Sequence, residues 1–158
     1  MSDMQKEANT ALEQGHLLIV WNESYMTGIE ILDEQHRGIV SIINSLHYLL
    51  FIQNDDTLLR STVDMINGYA KTHFLTEIGF LKNSSYPKLQ EHQSLHDHLI
   101  TESDRIFMDC LKEGGDPTLY LKFLKNWWQT HITHEDMAHR GHLHEYLRSG
   151  RRVITKHG

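Results

Sequence analysis

The sequence predicts an all-α protein, an antiparallel up-down-up-down four-helix bundle preceded by an extended N-terminal arm. Three observations carry this expectation. Apolar residues recur at three- and four-residue spacing in four separate segments, the mark of one buried face per helix. Short polar or glycine-containing breaks divide the segments, and such breaks make successive helices antiparallel neighbours. No run alternates apolar and polar residues over strand length.

The arm spans about residues 16–31, with short apolar patches (Leu17 to Trp21, Ile29, Ile31) interrupted by Gly28. It is expected to lie extended against the bundle. The first helix is expected to begin near Asp33, a good N-cap. Ile39, Val40, Ile43, Leu46 and Leu50 form its stripe, with His36 and His47 on the same face. It stops near Asn54 and Asp55. The second runs from about Asp56 to Lys82, with Leu59, Val63, Ile66, Ala70, His73, Glu77 and Phe80 on its stripe. The third opens at Pro87, suited to a first helical position. It carries Leu89, His92, His96, Leu99, Ile106, Phe107 and Cys110, and ends at Gly114-Gly115. The fourth opens at Asp116-Pro117, a cap followed by proline, and carries Leu121, Leu124, Trp127 and His131, with His134 one turn on.

The chain has 158 residues and is read as one domain over residues 16–150, between a polar N-terminal tail (1–15) and a basic C-terminal tail (151–158). A net charge of -6 argues against a nucleic-acid partner. The longest apolar runs fall far short of the roughly 18 residues of a membrane span. The first residues lack the apolar core of a signal peptide. The one cysteine, Cys110, excludes an internal disulfide and fits a reducing compartment. A cytoplasmic location is therefore expected.

Histidine is abundant, with 13 copies, and every helix places histidine or glutamate on its apolar stripe. A single histidine there is ordinarily a satisfied core residue. Here the spacings combine. His73 and Glu77 are four apart and share a face, as do His92 and His96. In an up-down bundle the start of the first helix, the end of the second, the start of the third and the end of the fourth meet at one end. His36, His73, Glu77, His92, His96 and His131 all fall at that height, His131 lying roughly 20 Å along its helix at 1.5 Å per residue. Imidazole and carboxylate donors without thiolate suit iron, zinc or manganese. Five histidines exceed one tetrahedral zinc, whereas two carboxylate-bridged ions would use them all.

Four motifs then carry a family resemblance: WNESYMTGIEILDEQH from Trp21 to His36, HFLTE from His73 to Glu77, YPKLQEHQSLH from Tyr86 to His96, and WWQTHITHED from Trp127 to Asp136. Together they resemble the hemerythrins in their bacterial single-domain form, over about Trp21 to Leu147. The resemblance implies a centre of two iron ions (Fe2+/Fe3+) bridged by an oxo or hydroxo group. It assigns His92, His96 and His131 to one iron, and His36 and His73 to a second iron with an open position. Glu77 and Asp136 become bridges. Helical spacing alone favours Glu135 over Asp136, because Asp136 is rotated about 140° from His131 on an ideal helix. The resemblance selects Asp136, which would then reach in from the flank of the fourth helix.

Dry pocket walls protect such a centre from oxidation, and Trp127, Ile39 and Val40 are candidates, each equally compatible with plain core packing. His134 would face the pocket only if turned inward. His139, His142 and His144 read as a solvated helix end, His98 as off the stripe, and His47 as a core residue beyond the site. The implied function is reversible dioxygen binding for carriage, storage or sensing, with nitric oxide a second candidate ligand. A di-iron oxidase, peroxidase or nitric-oxide-handling enzyme is the alternative, and an oxygen-reporting signalling module a third. No further catalytic constellation is evident, which favours a binding protein over an enzyme.

Overall fold

A computed structural model of the chain describes residues 17–52 and 56–150. The expected tails (1–15 and 151–158), His16 and the break at Asn54-Asp55 lie outside those residues. The described part is helical, with no strand. Four long helical stretches build it: α1 (Glu30–Ile52), α2 (Asp56–Asn83), α3 (Leu89–Cys110) and a composite fourth. The fourth comprises α4 (Thr118–Trp127), a π-helical segment (Trp128–Glu135), the short α5 (Asp136–Ala138) and α6 (Arg140–Arg148). α1 packs on α2, α2 on α3, α3 on α4 and α4 back on α1, which closes the bundle.

The apolar stripes meet inside. Ile39, Ile43 and Leu46 of α1 join Val63 and Ile66 of α2, Leu121 and Leu124 of α4, and Trp128 and Ile132 of the π segment. Each such side chain contributes roughly 1.5–3 kcal/mol by leaving water. A second cluster of Ile29, Leu32, Leu81 and Leu143 seals the end of the bundle where the polar residues collect.

The caps differ from expectation in an informative way. α1 begins at Glu30, so Asp33 is not its N-cap. Its carboxylate instead reaches back over the first turn, accepting from the Thr27 and Gly28 amides at 2.6 and 3.0 Å and from the Thr27 hydroxyl at 2.7 Å. This leaves Thr27 and Gly28 (φ 79°) as the pivot between arm and helix. The arm is not uniformly extended. It contains a 3-10 turn at Glu23–Tyr25 capped by Asn22. Asn44 of α1 pins it, accepting from the Ile19 amide and donating to the Ile19 carbonyl, both at 2.9 Å. α2 ends in a Schellman turn, with Tyr86 N–H donating to Leu81 O at 2.9 Å and Ser85 at φ 55°. Asp116 caps α4 by accepting from the Thr118 amide at 2.9 Å.

Candidate metal centre

The seven polar residues singled out by spacing and resemblance converge on one interior point between the helices. His36 comes from α1, His73 and Glu77 from α2, His92 and His96 from α3, His131 from the π segment and Asp136 from α5. All seven are buried, and His36, His73, Glu77 and Asp136 are wholly so. Their donor atoms fall into two overlapping groups: Glu77, His92, His96, His131 and Asp136 in one, and His36, His73 and Asp136 in the other.

Asp136 is the shared member. Its Oδ2 is 3.3 Å from both His36 Nε2 and His73 Nε2, while Oδ1 is 3.0 Å from His131 Nε2 and 3.6 Å from His92 Nε2. Glu77 Oε2 stands 2.8 Å from His92 Nε2 and 3.1 Å from His96 Nε2.

The π segment explains how Asp136 gets there. Its amide donates to the His131 carbonyl, an i→i+5 bond. One extra residue is thereby absorbed in the turn. Counted without that residue, Asp136 falls about 40° from His131 rather than about 140°. The expected approach from the flank is thus corrected: Asp136 lies on the inner face. The residues that take up the slack face outward, so Glu135 is exposed. His134 is exposed too, which overturns its candidacy as a pocket residue.

The electrostatics depend on close pairing. Burial and the neighbouring Asp136 charge push the Glu77 carboxyl up, but His139, His92 and His96 outweigh them and hold it well below the usual carboxylate range. Asp136 behaves alike: burial pushes it up, and His131, His36 and His73 hold it well below that range. Burial works against a charged His73, yet Asp136 and Glu77 raise it. His96 is lowered, chiefly by burial.

The donor set fits cations. Imidazole nitrogens face each other, His36 Nε2 to His73 Nε2 at 3.3 Å and His96 Nε2 to His131 Nε2 at 3.0 Å. Two donors each about 2.1 Å from one ion and about 90° apart would lie about 3 Å from each other. Glu77 and Asp136 are wholly buried with histidines as their neighbours, a costly setting for two carboxylates that a cation would relieve. The outer face of His73 is arranged for the same purpose. Its Nδ1–H donates to Gln35 Oε1 at 3.3 Å, and Gln35 Nε2 donates to Thr76 Oγ1 at 3.0 Å, which leaves His73 Nε2 bare toward the centre.

Aromatic rings wall the donors. Phe74 stacks on His96 with centroids 3.8 Å apart, and Trp127 stacks on His131 at 6.4 Å. Trp128 meets His36 edge-on at 6.1 Å. Ile39 and Val40 are buried in the main core. A cavity of about 20 Å³, room for one water-sized molecule, is lined by Phe74, Trp127, Leu99, Ile66 and Ala70 among others.

Sequence reasoning missed Gln35, Phe74, Trp128 and His139. The last is a correction, because His139 is not at a solvated helix end. It is 1% exposed, and its Nε2 lies 2.7 Å from Glu77 Oε1. On an ideal helix it would lie about 80° from His131, but with one residue absorbed it lies about 20° away. His142 and His144 are half-buried and tie the end of the bundle together, at 3.0 Å from Ser84 O and 2.6 Å from Thr27 O. His47 is buried beside Phe51 and His98 is exposed, as expected.

Fold and site together define a helical bundle whose core is an all-nitrogen-and-oxygen cation site. The hemerythrin HHE cation binding domain model matches residues 27–138, and the chain belongs to that family. Among its relatives, the bacteriohemerythrin of Stenotrophomonas maltophilia (strain R551-3) is 26% identical over 136 residues, covering 83% of this chain and 88% of the relative. That of Clostridium acetobutylicum is 26% identical over 125 residues, covering 75% and 96%. The myohemerythrin of Theromyzon tessulatum is 24% identical over 123 residues, covering 78% and 92%. Among the described residues no helix is long and apolar enough to cross a membrane.

Proposed function

We propose that this chain holds two iron ions and binds dioxygen reversibly at the ion beside His36 and His73, for carriage, storage or sensing. The observation that carries the reading is the span of Asp136, with one oxygen toward His36 and His73 and the other toward His131 and His92. A single carboxylate facing two nitrogen clusters is an arrangement for two ions rather than one.

His92, His96 and His131 would hold one ion, with Glu77 and Asp136 shared between it and the second. His36 and His73 would hold the other, and two histidines against three leave it room for an exogenous ligand. An iron pair, when bound, supplies the coordination and the electrons that dioxygen binding needs. The chain's own residues do the rest. Gln35 keeps His73 in the tautomer with a bare Nε2. Trp128, Phe74 and Trp127 keep water from the donors, which strengthens every charge interaction inside.

Metal analysis and gas-dependent absorption test this. The expected result is two irons per chain, with a visible charge-transfer band that rises when the reduced protein meets air and disappears on degassing. Fewer than two irons, or rapid one-way conversion to a ferric form, would overturn it.

A further inference from the structure

We infer that Trp128 and Tyr25 form an exit route for oxidising equivalents, passing one electron at a time between the ring of His36 and the surface; this rests on the two-ion reading above. The WNESY stretch from Trp21 to Tyr25 ends in the 3-10 turn of the arm, which Asn44 pins to α1. The turn sets the Trp21 and Tyr25 rings edge to face, 5.7 Å apart. Trp128 lies 5.5 Å from Tyr25, 6.1 Å from Trp21 and 6.1 Å from His36. Aromatic rings at such separations are in contact. Trp128 is 2% exposed, while Trp21 and Tyr25 are half-buried. A file of touching rings thus runs from a donor of the centre to solvent. Trp127 offers no equivalent. Among the described residues its ring neighbours are His131 and Phe74, and a phenyl ring gives up an electron far less readily than an indole or a phenol.

Two features give the route a direction. The Arg37 guanidinium lies 4.4 Å from the centroid of Trp21. A cation over the ring face favours the electron-rich neutral ring and opposes its oxidation, so Tyr25 is the terminus. Trp128 Nε1 is buried without an acceptor among the described residues. An oxidised Trp128 therefore keeps its positive charge in a buried site, a costly state. It passes the deficit to Tyr25, whose phenol can lose its proton to water. Hydrogen peroxide, formed when bound dioxygen is reduced by two electrons, takes up two more electrons and two protons in becoming two waters. A ferrous pair gives both electrons once. On a ferric pair each comes through Trp128 from Tyr25, whose proton goes to solvent. Each tyrosyl radical then takes a hydrogen atom from a thiol, and two thiols per peroxide join as a disulfide.

Freeze-quench electron paramagnetic resonance tests this on the iron-loaded full chain, oxidised to the ferric pair and mixed with hydrogen peroxide in the absence of thiol. The parent is expected to give a tyrosyl signal that narrows when ring-deuterated tyrosine is incorporated and that added thiol quenches. The signal should be lost in Tyr25→Phe and in Trp128→Phe, each still holding the parent's iron, and kept in Tyr120→Phe. A parent without iron would overturn the two-ion reading itself. A parent with two irons and no tyrosyl signal would overturn the relay alone. So would a signal that Tyr25→Phe or Trp128→Phe retains, or one that Tyr120→Phe abolishes. If Trp128→Phe loses its iron or does not fold by circular dichroism, mass spectrometry of the peroxide-treated parent decides. Oxidation of Trp128 or Tyr25 beyond that of the metal-free chain supports the route. Excess oxidation confined to other residues, or none, refutes it.

Discussion

Replacing Asp136 by asparagine keeps its shape and removes its charge, and comparison with Glu135→Ala separates the π-helical register from the ideal one. Asp136 is one of three donors in the His36–His73 group and one of five in the other. Losing it leaves two histidines and the shared Glu77 for the first group, too few to retain an ion, and four donors for the second. Asp136→Asn should therefore bind one metal ion per chain after iron loading and desalting, while Glu135→Ala, altered at an exposed position, should bind two. The stability readout follows by linkage. An ion present at about 100 times its dissociation constant stabilises the fold by about 2.7 kcal/mol. For a chain of this size that is roughly 5–10 °C in Tm. The metal-induced rise in Tm should shrink by that amount in Asp136→Asn and stay intact in Glu135→Ala. Two ions in Asp136→Asn with one in Glu135→Ala would refute the π-helical argument and restore the ideal-helix choice.

Two further outcomes are expected. Phe74→Ala removes the ring stacked on His96 and edge-on to His131 and Trp127; it should cost about 3–5 kcal/mol in urea unfolding, and a loss below about 1 kcal/mol would show that this wall is not a packed element. Tyr120, whose hydroxyl lies within hydrogen-bonding distance of Ser103 and Asn67, has its phenol pushed up by burial from 10.0 to about 12. Below pH 10 its contribution to stability is complete; above that the unfolded chain gives up the proton first, so up to about 2.7 kcal/mol should be lost as pH rises through the folded value. Denaturant midpoints at about pH 9 and pH 12 should show this slope in the parent and a flatter one in Tyr120→Phe; identical slopes would refute the assignment.

The helices were legible because periodicity is a local property. His36, His73, Glu77, His92, His96 and His131 could be read as one set because each sits on a stripe of its own helix. Topology then brings those stripes to one height. Phe74 was overlooked for the converse reason. It lies next to His73 and off the stripe of α2, and it acquires its role only when α3 brings His96 over its face. Asp33 shows the same limit at a cap. Its residue type suggests a helix start, but its carboxylate closes a turn that begins several residues earlier.

What the sequence determined by itself is the bundle, its order and six of the seven converging donors, since spacing along a regular helix decides which side chains share a face. What only the tertiary structure decided is the fourth helix beyond Trp127. There the chain departs from the regular repeat, and one residue taken up by the π turn carries Asp136 and His139 inward together while turning His134 and Glu135 to solvent. An ideal period cannot anticipate that shift, because the gain that sustains it lies in the buried centre formed by the other three helices.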